Sequence, residues 1–225
     1  MEIARIYRRK DEEAMFYCWF GAMHTRVDIA MRTGAGEDAC LELAERMRSR
    51  ICGIEATANC FDPSSELSRF NDGVLGPDEL SGELQQILHI CEEWRLRTDG
   101  IFNVKVDGRI DLSGFLKGYA LDEMKPLLAE YGISDALVSL GNSSILAVGN
   151  RDAGTSGWLL TAPDGGTHLL RNECLTTSGN DNPGRRHIID PRTGKFIEGQ
   201  RTVSVVTESG AEGEVMSIVK FILSA

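Results

Sequence analysis

The sequence has few basic residues and no long apolar run, and each absence excludes a class of protein. Its 24 lysines and arginines are scattered along the chain and are outnumbered by 34 acidic residues. Because nucleic-acid binding depends on clustered positive charge, we expect no nucleic-acid partner. No apolar stretch approaches the ~20 residues that a transmembrane helix requires, so we expect no membrane span.

Cysteine patterns typical of metal centres are also missing. The chain has six cysteines, with no C-x-x-C pair and no other metal-ligand spacing. Three of them fall within apolar patterns typical of helices. We therefore expect buried free thiols, with disulfides as the alternative. The six are Cys18, Cys40, Cys52, Cys60, Cys91 and Cys174.

The sequence shows no recognisable signal peptide. Residues 1–10 are followed by acidic residues and lack the uninterrupted apolar segment that a secretory leader contains. This pattern predicts a cytoplasmic protein, or an exported one if a leader has been removed from the sequence.

The order of the predicted elements favours an α+β fold with helices packed on a largely antiparallel sheet. The length fits a single domain over residues 1–225, and a single domain with a small lobe formed by the loops is the alternative. A helix-rich first half is followed by a strand-rich second half. The predicted helices cover residues 37–58, 83–97, 114–131 and 212–223. The predicted strands cover residues 136–140, 144–148, 158–162, 168–171, 186–189 and 202–207.

The segment Asp111–Asp122 combines an acid, two glycines and a lysine at a predicted helix start. The unpaired N–H groups and positive dipole end of a helix that begins near Ser113 favour an anion such as phosphate. Lys117 adds a positive charge one turn into the helix, and Gly114 allows a ligand to approach the main chain. The alternative is an ordinary amphipathic helix with Asp111 or Ser113 as its cap.

A second motif runs from His187 to Gly194. Its Asp-Pro-Arg-Thr-Gly portion is by itself a turn sequence, in which proline fixes φ and glycine supplies a positive φ. His187 opens this motif, and the ordinary pKa of a histidine, near neutrality, suits proton transfer. A purely structural role, in which His187 opens a strand and caps a turn through Asp190, is the alternative.

In their order along the chain, five segments resemble the FAD:protein FMN transferases, a family first described as thiamine-biosynthesis lipoproteins. Its members move FMN from FAD onto a threonine or serine of another protein. The segments are Met23–Thr25, Phe61–Asn71, Asp111–Asp122, Val138–Gly141 and Ala211–Leu223, and His187–Gly194 adds a sixth. The resemblance spans nearly the whole chain and implies the ApbE-like, T-fold-type mixed fold of that family.

The resemblance also implies a reaction and a set of site residues. It implies FAD as substrate, Mg²⁺ as cofactor, AMP as leaving group, and an acceptor flavoprotein or flavin-binding domain as partner. His187 would transfer the proton. The implied cofactor-binding residues are Met23, Phe61, Phe102, Asp111, Lys117 and Ile189. The implied metal ligands are the Gly114 carbonyl and Glu214.

Several positions depart from the family pattern. Glu214 stands at the position of an aspartate metal ligand and Ile218 at that of a threonine ligand, which predicts a weaker metal site. His24 and Asn142 replace glycines, and residues 101–110 run almost directly into Asp111, where relatives have a longer excursion. The alternatives to a transferase are a catalytically impaired homologue that binds flavin or a partner protein, and an FAD pyrophosphatase.

Overall fold

The computed structural model describes residues 3–10, 12–180 and 188–224. The strands are β1 (Ala4–Lys10), β2 (Glu13–Ala22), β3 (Thr25–Thr33), β4 (Lys105–Val106), β5 (Arg109–Ile110), β6 (Asp135–Leu140), β7 (Ser144–Val148), β8 (Trp158–Thr161), β9 (Thr167–Leu170), β10 (Glu173–Asn180), β11 (Ile189–Asp190), β12 (Lys195–Phe196) and β13 (Arg201–Thr207). The helices are α1 (Glu37–Ala58), α2 (Glu66–Asn71), α3 (Gly82–Arg97), α4 (Leu116–Glu130) and α5 (Gly210–Leu223), with a 3-10 turn at Pro77–Glu79.

Seven strands form one sheet in the order β1-β2-β3-β6-β7-β10-β13, and every neighbouring pair is antiparallel. Successive side chains of a strand point to opposite faces. In β2, Phe16, Cys18 and Phe20 are buried on one face, whereas Tyr17 and Trp19 stay partly exposed on the other. Helices α1, α4 and α5 pack on the buried face and form the main core with it.

Helix α1 follows from its apolar spacing. Buried residues recur every three or four positions, which places them on one stripe of a helix with 3.6 residues per turn. That stripe packs against β2 and α4. Its members are Cys40, Leu43, Ala44, Met47, Ile51, Ile54 and Ala58.

The β8–β9 hairpin covers part of the other face of the sheet. Trp158 and Leu170, which lie opposite each other in the hairpin, pack on Ile145 and Leu175 of the sheet and form a second apolar cluster. The indole N–H of Trp158 donates to the Val148 carbonyl at 3.0 Å, so its polar atom is satisfied inside the cluster.

Helices α4 and α5 approach closely because two glycines meet. A Cβ added at Gly118 would stand 2.1 Å from the carbonyl oxygen of Gly210, which leaves no room for a side chain. One turn further along α4, the Asp122 carboxylate accepts from Ser209 Oγ and from the backbone N–H groups of Gly210 and Ala211 at 2.7–2.9 Å. Asp122 therefore caps the start of α5 and fixes which α5 residues face α4.

The predicted α+β class, with helices on an antiparallel sheet, is confirmed. All four predicted helices are present, although α4 begins at Leu116 rather than at Gly114. The strands β1–β3, which precede α1, were not among the predicted elements. In β2 the outward positions carry Tyr17 and Trp19, so the apolar alternation of a half-exposed strand is obscured.

Two further strands differ from the predictions. The eight-residue strand β10 was not among the predicted strands. Of the predicted strand 186–189, residues 186 and 187 lie outside the described residues, and Ile189 begins the short strand β11.

The prediction of free thiols is confirmed, since all six cysteines are unpaired and four of them are buried. Within the described ranges, no helix combines the length and the apolar character needed to cross a membrane.

Candidate functional site

A cavity opens where the end of α1, the β2–β3 turn and the start of α4 meet. It is a cleft with about 430 Å³ of empty space, part of which is open solvent. Its lining combines apolar surface with a lysine, a carboxylate and hydroxyl or amide groups. The lining residues are Met23, His24, Glu55, Ala58, Asn59, Cys60, Phe61, Ser113, Leu116 and Lys117.

Two predicted cofactor residues form the wall and rim of this cavity. Met23 lies in the two-residue turn between β2 and β3, and its backbone N–H donates to Glu55 Oε2 at 2.7 Å. Phe61 follows the end of α1, and 68% of its surface is exposed at the rim. An exposed aromatic ring beside an apolar cavity is suited to stacking on a planar ligand.

The backbone of the β2–β3 turn explains why this position suits glycine. Met23 and His24 have φ values of 50° and 55°, as in a hairpin turn that requires positive φ at both central residues. Asn142, the other residue found in place of a glycine, has φ of 61°. His24 and Asn142 therefore keep the left-handed backbone conformation that glycine adopts easily, at a cost of about 1 kcal/mol each.

Asp111 caps its own turn and contacts Cys60 and Ser113, two residues of the cavity lining. Its Oδ1 accepts from the Ser113 backbone N–H at 2.8 Å and lies 3.5 Å from Cys60 Sγ. Asn71 holds the preceding residue, because its amide donates to the Ile110 carbonyl at 2.9 Å and accepts from the Ile110 N–H at 2.8 Å. Asp111 therefore has the capping role that the sequence left open, and it also lies next to residues of the cavity lining.

Lys117 connects the cavity to a buried carboxylate. Its ammonium donates to Ser143 Oγ in the β6–β7 turn, and it lies close enough to Glu214 to favour the charged carboxylate. The next residue, Ser144, donates its hydroxyl to Glu214 Oε1. The start of α4 therefore carries a positive charge fixed by a hydroxyl, which is the chemistry that a phosphate group requires.

Glu214 is 4% exposed on the α5 face that packs against α4. Burial raises the pKa of its carboxyl from 4.5 to about 7, while Lys117 and the Ser144 hydroxyl act in the opposite direction. A buried carboxylate that is costly to charge is one that a cation would stabilise.

This pKa shift leads to a stability prediction. Because the folded protein holds the Glu214 proton more tightly than the unfolded chain, stability falls as pH rises from about 4.5 to about 7 and is constant above. Glu214→Gln removes this loss. The stability gained by the variant relative to the unaltered protein should therefore be about 2 kcal/mol larger at pH 8 than at pH 5. Urea unfolding of both proteins at the two pH values measures the difference. A gain that does not change with pH would show that Glu214 titrates normally.

Of the two implied metal ligands, Gly114 lies in the turn just before α4 and Glu214 lies on α5. A Cβ at Gly118 would be 2.6 Å from Glu214 Cγ, and one at Gly114 would be 3.2 Å from Ile218 Cδ1. Glu214 therefore faces Gly118, and Ile218 faces Gly114. Isoleucine has no donor atom, and the described residues contain no group of three or more His, Cys, Asp or Glu side chains able to hold a metal.

Five predicted site residues within the described ranges are not part of the cavity lining: Phe102, Asp111, Gly114, Ile189 and Glu214. Phe102 is 3% exposed and packs in the main core with its ring centroid 6.2 Å from that of Phe115. Ile189 is half-buried in β11 and is not part of the cavity lining. His187 lies outside the described residues.

Sequence reasoning missed Glu55, Cys60 and the serine pair Ser143 and Ser144. Glu55 lies on the polar side of α1, where a solvent-exposed carboxylate is the ordinary expectation. The serines directly follow Gly141-Asn142, and the family-like segment Val138–Gly141 was the one available signal.

The fold and the cavity together define a class of protein: a mixed α and β protein in which a helix start suited to phosphate borders an apolar, aromatic-rimmed cavity. The chain belongs to the ApbE family, whose model matches residues 23–108 and 104–225. The resemblance inferred from the motifs is therefore confirmed.

Individual relatives agree with this assignment. An FAD:protein FMN transferase of Rhodobacter capsulatus is 36% identical over 117 residues, covering 46% of this chain and 22% of that protein, so the chain spans about a fifth of the length of this curated relative. The apo form of the flavinyl transferase ApbE of Pseudomonas stutzeri has a TM-score of 0.82 at 17% identity, covering 96% of this chain and 88% of that one. The ApbE protein of Thermotoga maritima has a TM-score of 0.76 at 19% identity, covering 93% and 87%. At such identities the structures establish the shared fold.

Proposed function

We propose that this protein is an FAD:protein FMN transferase, which transfers FMN from FAD to a threonine or serine hydroxyl of an acceptor protein and releases AMP. The observation that carries the proposal is the placement of Lys117 and Ser113 at one end of α4, lining a cavity whose rim is the exposed ring of Phe61. Phosphates and a planar ring system are the two recognition elements that FAD presents. Family membership supports the same activity.

The reaction is a phosphoryl transfer. The acceptor hydroxyl attacks the phosphorus on the FMN side of the pyrophosphate, a P–O bond to that phosphorus forms, and the P–O bond to AMP breaks. The hydroxyl loses its proton to a base, and AMP leaves with the bridging oxygen. Lys117 and the N–H groups at the start of α4 would hold the pyrophosphate and offset its charge, which is the main contribution a protein makes to such a step.

Mg²⁺ forms part of the proposal as an ion shared between protein and substrate. The Gly114 carbonyl and the Glu214 carboxylate would supply two oxygen ligands, and Glu214, buried and costly to charge, fits a cation neighbour. Mg²⁺ is commonly held by one or two carboxylates together with substrate phosphates and water. When bound, the ion would neutralise pyrophosphate charge.

Removal of the Lys117 charge provides a direct test of FAD binding. Lys117→Ala should weaken FAD binding by about 1–3 kcal/mol, the range for losing a charge-assisted hydrogen bond. Lys220→Ala, which removes an exposed lysine near the end of α5, is the matched control and should leave affinity unchanged. Calorimetry with FAD, ADP and AMP measures both. If the unaltered protein binds none of them at millimolar concentration, the proposal fails.

The metal requirement has its own test. Glu214→Asp and Ile218→Thr together should lower the Mg²⁺ concentration needed for half-maximal activity by more than either change alone, because the two side chains would serve one ion. Mg²⁺ titration of FAD-dependent AMP release compares the four proteins. If the unaltered protein already saturates at low Mg²⁺ and the double variant gains nothing, the cation is bound elsewhere, and Glu212 is the next carboxylate to test.

A second candidate function is a flavin-binding homologue with impaired catalysis, or one that only hydrolyses FAD to FMN and AMP. Ile218, which places a methyl group where a hydroxyl ligand is implied, favours it. Incubation with FAD and Mg²⁺, with and without an acceptor protein, separates the outcomes. Flavin attached to the acceptor indicates transfer, free FMN and AMP indicate hydrolysis, and bound but unaltered FAD indicates a binder.

A further inference from the structure

Cys60 occupies a position in the cavity that the proposed function does not use. Helix α1 ends at Ala58, and Cys60 lies in the turn that follows, half-buried between Asn59 and Phe61 in the cavity lining. The other half-buried cysteine, Cys52, lies on α1 outside that lining. Cys60 is thus the one cysteine among the described residues that borders the cavity.

The Cys60 thiol faces Asp111. Its Sγ lies 3.5 Å from Asp111 Oδ1, and the same oxygen accepts from the Ser113 backbone N–H at 2.8 Å. Within residues 3–10, 12–180 and 188–224, no group donates to the other carboxylate oxygen, Oδ2. Oδ1 is therefore held from two sides, and Oδ2 has no donor among the described residues.

Hydrogen bonds also hold the backbone at Ile110 and Asp111, so few torsion angles of Asp111 remain free. The Asp111 N–H donates to the Val104 carbonyl at 2.8 Å, and the Asn71 amide bridges both polar groups of Ile110. The carboxylate can then turn only about its side-chain bonds. Cys60 and Ser113 restrict that rotation, because moving Oδ1 away breaks both contacts.

The thiol can act only as a donor here, since an ionised carboxylate accepts and does not donate. Burial, and then the charge of Asp111, raise the pKa of the Cys60 thiol to about 11. The S–H proton therefore stays in place at physiological pH, where an ordinary exposed thiol would begin to ionise.

We propose that Cys60 is a positioning residue: its thiol, with the Ser113 N–H, fixes Asp111 Oδ1 and leaves Oδ2 to accept a hydroxyl or N–H group of the bound nucleotide. This inference rests on the proposed FAD site. It assigns to Asp111, the first residue of the Asp111–Asp122 motif, a hydrogen bond to the nucleotide. It makes Cys60, 51 positions earlier in the chain, responsible for the orientation of the Asp111 carboxylate.

A double-mutant cycle with FAD binding tests the proposal. Cys60→Ala should raise the dissociation constant about 3- to 10-fold, the loss expected for one modest hydrogen bond, whereas Cys60→Ser, which keeps a donor, should remain within about 3-fold. In an Asp111→Ala background, Cys60→Ala should have less than about a 2-fold effect, because the group it orients is gone. Cys52→Ala is the control for loss of a half-buried thiol.

The outcomes distinguish a failure of this inference from a failure of the proposed function. If the unaltered protein binds no FAD, the proposed function fails. If it binds FAD and Cys60→Ala binds equally well, or weakens binding as much without Asp111 as with it, the positioning role is overturned while the function stands. Thermal melts of each variant identify any that is unfolded, and Cys60→Ser, the smaller change, then carries the comparison with Asp111→Ala.

Discussion

Gly118→Ala is expected to destabilise the protein by about 4 kcal/mol, near the upper end of what single substitutions cause. The added methyl group would stand 2.1 Å from the Gly210 carbonyl oxygen and 2.6 Å from Glu214 Cγ. The nearest obstacle is backbone, so it cannot be relieved by a side-chain rotation, and α4 and α5 must separate. Because α5 also packs on β10 and β13, the separation would loosen one end of the sheet.

Gly53→Ala is the matched control, since Gly53 lies within α1 and an added Cβ would meet nothing within 4 Å. There the change should stabilise by about 0.5–1 kcal/mol, through the greater helix propensity of alanine. Chemical denaturation of the three proteins measures both effects. Equal stability of Gly118→Ala and the unaltered protein would show that α4 and α5 are less closely packed than described.

The parts of the fold that sequence reasoning found are those with local signals. Helix α1 was predicted with its observed ends because its apolar residues keep a helical period over 22 residues. The start of α4 was found because Gly114 and Lys117 are unusual together at a helix start. Such signals depend only on a few neighbouring residues, and in this fold the tertiary packing agrees with them.

The parts that were missed depend on contacts between distant segments. Asp122 belongs to a motif, yet its role as the cap of α5 requires residues 87–89 positions later in the chain. The resemblance assigned Phe102 to the cofactor, and in the structure Phe102 packs against Phe115 in the core. Glu214 gives no sign in the sequence that it is buried. Long-range partners of this kind follow from the assembled sheet and its helices, which a single sequence does not specify position by position.

His187 is expected to have the largest effect on catalysis. If it takes the proton of the acceptor hydroxyl, His187→Ala should reduce FMN transfer or FAD hydrolysis about 10²–10⁴-fold and leave FAD affinity within a few-fold, because a general base acts in the transition state rather than in binding. His89→Ala is the matched control, since the His89 side chain is 74% exposed on α3 and pairs with Glu93. Single-turnover AMP release and calorimetry, performed on both variants, separate rate from affinity. A parallel loss of rate and affinity would assign His187 to holding the cofactor, and an unchanged rate would assign proton removal to another group.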